Sequence, residues 1–291
     1  MSFIPLKLRL IALGVLAGTS VARAAIDCTP DLRLEVDKLP PQRIVVIGEQ
    51  THGTQQAPAL LAGLLCGFAR AGQPVILAWE ASRDGQPALN AFLDSAGTTA
   101  DKERLTEAAL RDPSGRTSLA MLDMLDHARR LRQAGARVGV AMVDNAESDV
   151  LEPLYANEDK YALWSQERRQ ALMAQAVLAR QRQYPEHRLL FFTSHAGRTG
   201  GELGVGYESA TLLLSRLTPV HVIDLIDEGG EAWSCRGRTL PEAVCKAYPS
   251  RGRTRKDADQ TLNLGPVTAS PPASRNPLPI YVPAPERPSR E

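Results

Sequence analysis

Aromatic residues are scarce in this chain: Phe, Trp and Tyr together make up 14 of 291 residues. That disfavours a large aromatic cradle for a flat ring cofactor, although a few residues would suffice for one. Net charge is almost absent, with 34 Lys and Arg against 33 Asp and Glu. A balance of +1 removes the electrostatic case for binding nucleic acid. Beyond the N-terminus no apolar run approaches the roughly 18 residues that a membrane span requires. Cysteine is limited to Cys28, Cys66, Cys235 and Cys245, and no two of them form a C-x-x-C zinc or redox pair. The glycine-rich stretch Gly200–Gly206 is not followed by Gly-Lys-Ser/Thr, so it is no Walker loop. It reads instead as a loop over a crevice. No Gly-x-Ser-x-Gly elbow is present, which argues against a serine hydrolase of the α/β type.

What the chain does contain is globular: 43% apolar and 23% charged residues exclude a wholly disordered, collagen-like or coiled-coil polymer. Lys7 and Arg9 precede the apolar stretch 10–18, and Ala22-Arg23-Ala24 matches an A-x-A cleavage site. This pattern predicts a secretory signal peptide over 1–24, cut after Ala24, and a secreted or periplasmic protein. In such a compartment the cysteines are expected to pair as Cys28–Cys66 and Cys235–Cys245, with a free buried Cys66 thiol as the competing reading. The near-neutral total divides unevenly. Residues 25–245 hold 23 basic and 29 acidic residues, and 246–291 hold 8 basic and 4 acidic ones. An acidic body suits a cationic or neutral ligand better than a polyanion.

Five short, largely β-branched runs predict strands at Arg43–Ile47, Pro74–Trp79, Arg137–Val143, Arg188–Thr193 and Val220–Ile226. Helical spacing between them predicts helices at Gln56–Ala71, Ser114–Ala134, Gln166–Gln183 and Glu208–Leu217. The second of these is expected to be capped by Ser114 or Thr117. His127 falls off its apolar face and is expected to be exposed. Alternation of strand and helix predicts a mostly parallel sheet covered on both faces, as a single α/β domain over 25–272. Residues 262–267 offer one further edge strand. From Ala273 to Glu291 the chain is rich in Pro and Arg and is expected to be a disordered tail.

In such folds ligands bind beyond the carboxyl ends of the strands. The five strands lead into Glu49 and His52, Glu80, Asp144, Ser194-His195, and Asp224 with Asp227. Glu49 and His52, three residues apart across a turn flanked by Gly48 and Gly53, can point into one crevice. A carboxylate that orients an imidazole makes it a general base. Glu80 and His195 arrive from other strand ends, and two His with two Glu either activate water directly or ligate a divalent metal. Asp144, Arg168 and Arg198 are the candidates for binding substrate, with Arg198 suited to an anionic group or an oxyanion.

These residues also resemble a known superfamily. Ile47-Gly48-Glu49-Gln50-Thr51-His52-Gly53-Thr54, then a helix and Leu77-Ala78-Trp79-Glu80, is similar to the erythromycin esterase-like, ChaN-like and Tiki superfamily. The likeness continues through Arg130–Gly135 before Asp144, and through Arg168 and Met173-Ala174 into Leu189–Ala196, so that it covers about residues 40–228. It implies an α/β sheet with its site at the strand ends. The esterase branch implies water activation by Glu49, His52 and Glu80 on a small-molecule ester. The Tiki branch implies a divalent metal and a peptide substrate, and the ChaN branch implies haem binding in iron uptake without turnover. The chain departs from the esterases in its single late histidine and in Gln55-Gln56, and from ChaN in Thr193-Ser194 and in lacking a lipid-modified cysteine.

Overall fold

The computed structural model describes residues 26–31, 33–144, 158–194, 196–198, 207–236, 244–250 and 257–275, with backbone only for 158–165. The segment 1–24 expected to be a signal peptide, His195, Gly200–Gly206 and residues 276–291 lie outside the described residues.

The predicted strands are present as β1 (Ile44–Gly48), β2 (Val75–Ser82), β3 (Val138–Asp144), β4 (Arg188–Thr193) and β5 (Val220–Ile226). The helices are α1 (Gln56–Arg70), α2 (Gln86–Leu93), α3 (Thr99–Ala109), α4 (Leu119–Gln133), α5 (Glu158–Gln183) and α6 (Ala210–Ser215). A hairpin of β6 (Glu231–Arg236) and β7 (Val244–Pro249) follows, and the edge strand β8 (Gln260–Asn263) ends the sequence of elements. The main sheet has six strands in the order β3-β2-β4-β1-β5-β8, all parallel. The protein is therefore α/β with helices on both faces, as its alternating pattern predicts.

Alternation along each strand supplies two cores, because successive side chains point to opposite faces. Val45, Ile47, Leu77 and Trp79 pack with Leu61, Leu65 and Phe68 of α1 and Leu125 of α4. Ile44, Val46, Ile76 and Ala78 pack with Met173 and Val177 of α5 and Leu214 of α6. Strands buried on both faces cannot show polar alternation, which is why they read as continuous apolar runs.

Several expectations shift. Helix α4 begins at Leu119, with the Ser118 hydroxyl accepting from the Met121 N–H, so residues 114–117 are loop. His127 is half-buried against the disulfide rather than exposed, because α4 packs on α1 and the N-terminal arm. Both expected disulfides are present, Cys28–Cys66 and Cys235–Cys245, and Cys66 is fully buried in its bridge. The first residues of the expected tail are ordered, since Ala273 donates to the Thr117 carbonyl at 2.9 Å. No described helix is long and apolar enough to cross a membrane.

Candidate active site

Four adjacent strands, β3, β2, β4 and β1, end side by side and present Asp144, Glu80, Thr193-Ser194 and Glu49. The Glu49 N–H extends the ladder by one bond to the Thr193 carbonyl, 3.1 Å away. The chain then turns. Gly53 has φ +72°, and a Cβ there would lie 2.3 Å from the Trp233 carbonyl oxygen. Its own carbonyl accepts from Trp233 N at 2.9 Å and Ser270 N at 2.7 Å. The turn is thus pinned, and its tightness brings the His52 Nδ1 onto the Glu49 carboxylate.

The other imidazole nitrogen is also engaged. Arg116 donates its Nε–H to His52 Nε2 at 2.8 Å. An arginine can only donate, so Nε2 carries the lone pair and Nδ1 carries the proton given to Glu49. This is the tautomer in which a general base offers Nε2 to water.

Arg116 comes from the connection between α3 and α4. Gly115, at φ +92°, presses that loop against the His52 turn: a Cβ on it would meet Trp233 O at 2.7 Å and Gly53 Cα at 2.8 Å. The Trp233 indole donates to Pro113 O at 3.1 Å. One hairpin residue therefore holds both turns, and the Cys235–Cys245 bridge ties the two strands that carry it.

Glu80 lies where β2 bulges against β3, between the pairs Trp79–Met142 and Ser82–Asp144. Such a bulge re-aims side chains, here into the cleft. Its buried carboxylate accepts from Thr193 Oγ1 at 2.7 Å, Ser194 N at 2.8 Å and Arg169 Nη2 at 2.9 Å. Arg116 Nη2 stands 3.4 Å away. Those donors hold the Glu80 carboxylate in one orientation at the cleft wall. Asp144 takes Arg169 in a fork, Nε to Oδ1 at 2.8 Å and Nη2 to Oδ2 at 2.5 Å. Burial works against the Arg169 charge, but Asp144 and Glu80 outweigh it and hold the guanidinium well above its ordinary range.

These groups line a cleft of about 990 Å³, walled by the 50–52 turn, the ends of β2 and β3, the 107–117 connection, Gln166, Arg169, and Ser234-Cys235 of the hairpin. The volume suits a small organic molecule or a short peptide.

The structure brings Glu49, His52, Glu80 and Asp144 together. His195 lies outside the described residues. Arg168 is half-buried on α5 but does not line the cleft; its neighbour Arg169 does. Arg198 is drawn away, donating to Asp259 at 2.8 Å and to the Val220 carbonyl at 3.0 Å, at the amino end of β5. Asp224 is fully buried and accepts from Gln50 Nε2 at 3.1 Å, while Asp227 accepts from Gly229 N and Ser250 Oγ in a turn.

Arg116 and Arg169 are the residues that sequence reasoning missed. The fully buried α5 positions Gln170, Met173 and Val177 define an inward stripe. Continued back one step, that stripe selects 169 over 168. Pro113-Ser114-Gly115 is a turn signal that would have freed Arg116 from the helix.

The described residues do not fit a divalent metal here. Glu80 and Asp144 face guanidinium groups where a cation would sit, and no trio of described His, Cys, Asp or Glu ligands clusters in the cleft. They do not fit haem either, since both His52 nitrogens are engaged and no Phe, Tyr or Trp lines the cleft.

No family model matches the chain, and no curated protein matches it in sequence. Solved structures share its fold. One is a succinoglycan biosynthesis protein, with TM-score 0.55 and 8% identity over 79% of this chain and 89% of that one. A second is a mutant of the erythromycin esterase EreC in its open conformation, with TM-score 0.54 and 12% identity over 74% of this chain and 78% of that one. A third is a protein from Bacillus cereus, with TM-score 0.50 and 13% identity over 74% and 71% of the two chains. The likeness is one of fold, and it agrees with the erythromycin esterase resemblance of the 47–54 and 77–80 segments.

Proposed function

We propose that the chain is an exported hydrolase that cleaves an ester or amide bond in a small molecule or peptide, using water activated by His52. The observation that carries this reading is the Glu49–His52–Arg116 chain, with its proton on Nδ1 and its lone pair on Nε2. Catalytic hydrogen bonds commonly rearrange when substrate arrives. Here the substrate carbonyl oxygen draws the Arg116 guanidinium toward itself, and water takes the vacated place at Nε2. His52 removes a proton from that water as the oxygen attacks the carbonyl carbon. Glu49 stabilises the resulting imidazolium, and Arg116 faces the oxyanion of the tetrahedral intermediate. Collapse breaks the bond to the leaving oxygen or nitrogen, which takes the proton from Nε2, and His52 returns to its starting tautomer. Glu80 holds Arg116 and Arg169 in place, and Asp144 holds Arg169.

The fold shared with an erythromycin esterase supports this reaction class. The two disulfides and the 1–24 export pattern support a secreted or periplasmic location. The test is to incubate the mature chain with a panel of esters and amides in ¹⁸O-labelled water. The expected product is an acid bearing one ¹⁸O atom. Absence of turnover across the panel contradicts the proposal.

A further inference from the structure

A second cluster lies on the far side of α1 from the sheet. The N-terminal arm runs along that helix over two glycines: a Cβ on Gly63 would lie 2.6 Å from Asp31 Cβ, and one on Gly67 would lie 2.7 Å from Val36 Cγ2. Arg70 Nη1 donates to the Cys28 carbonyl at 3.3 Å. These contacts seat the arm independently of its disulfide. Cys28 and Cys66 are bonded there, and His127 of α4 completes a trio whose ligand atoms all lie within 4.8 Å of one another.

His127 Nε2 is buried without a hydrogen-bond partner. A buried polar nitrogen left unpaired costs about 1–3 kcal/mol, so its presence on a ring beside the disulfide calls for a reason. Burial, and then the charge of Arg130, push the imidazole toward its neutral form against the opposing pull of Asp126. A neutral ring nitrogen is the form that ligates metals. Two thiolates and one imidazole make a soft donor set suited to Zn²⁺. A groove of about 580 Å³ between α1 and α4, with Ala59, Ala62, His127 and Arg130 in its lining, reaches the ring.

We propose that Cys28, Cys66 and His127 form a thiol-dependent metal site, which holds a disulfide in the oxidised chain and one Zn²⁺-like cation in the reduced chain. A dithiol reductant supplies two electrons and two protons, opening the bridge to two thiols while closing its own disulfide. The cation then displaces the two thiol protons and binds both thiolates and the neutral His127 nitrogen. With Zn–S bonds of about 2.3 Å, the sulfurs separate to about 3.8 Å. Their Cα atoms stand 5.9 Å apart, so rotation of the side chains is enough.

The experiment reads metal, not turnover, and is independent of the hydrolase reading. The mature chain is reduced, freed of reductant without oxygen, and titrated with Co²⁺, followed by competition with Zn²⁺. One equivalent of Co²⁺ with thiolate charge-transfer absorption is expected, and none for the oxidised chain. His127→Ala should weaken binding by more than about 100-fold, beyond the roughly 10–100-fold that follows loss of a group that only supports a ligand. Cys66→Ser should abolish the absorption, and Cys235→Ser with Cys245→Ser should preserve it. If reduction alone unfolds the chain, Zn²⁺ should restore its circular dichroism in wild type and not in His127→Ala. No metal-dependent signal of either kind, or binding unchanged by His127→Ala, overturns the proposal.

Discussion

Arg116 donates its Nε–H to His52 Nε2, 2.8 Å away, from a loop that joins α3 to α4. A side chain 64 residues distant thereby meets the lone pair of the histidine, and in the proposed mechanism it faces the oxyanion. Replacing Arg116 with Gln should lower kcat by about 10²–10³. Arg116→Lys should fail to restore it, because a point charge cannot serve His52 and Glu80 at once. The ¹⁵N shifts of the His52 ring check the same claim, since the Nε2 resonance should move when the Arg116 donor is removed while Nδ1 keeps its proton on Glu49.

Glycine is required at 53 and dispensable at 72, although both have positive φ, +72° and +68°. At Gly72 nothing lies within 4 Å of an added Cβ, so Gly72→Ala should cost about 1–2 kcal/mol, from backbone strain alone. Gly53→Ala drives Cβ into the Trp233 carbonyl and should cost clearly more, with loss of turnover. Urea denaturation of the two variants measures the difference.

Glu80 is 2% exposed and holds Arg169, whose side chain is 13% exposed. Removing one partner of a buried pair leaves an uncompensated charge, at a cost of about 3–5 kcal/mol. Glu80→Ala should lose stability on that scale, whereas Asp94→Ala, which removes a surface pair with Arg132, should change it by less than about 1 kcal/mol.

Acid should destabilise the α3–α4 contact. Burial pulls the Asp126 carboxyl upward, but hydrogen bonds from Arg129 and Lys102 outweigh it and hold it below the ordinary range. A depressed carboxyl contributes stability above its unfolded pKa of about 3.9 and loses it as pH falls through the folded value. Wild type should therefore lose stability below about pH 4, and Asp126→Asn should show a shallower loss there in thermal melts.

The sheet was legible because strands buried on both faces leave continuous apolar runs, and every one of the five predicted strands is present. Glu49, His52, Glu80 and Asp144 were legible because parallel strands deliver whatever follows them to one edge. Arg116 was hidden because the apolar spacing of α4 extends plausibly backward through Thr117, and only the Ser118 cap places the helix start at Leu119. Arg169 was hidden by one residue of helical phase. The bracing by Trp233 leaves no sequence signal, since it depends on main-chain contacts between segments far apart in the chain.

The central claim is that His52 activates water. The measurement is kcat/KM of His52→Ala against wild type on one ester, with circular dichroism of both. A fall of about 10²–10⁴ with the fold unchanged is predicted. Equal kcat/KM in the two proteins would contradict the account.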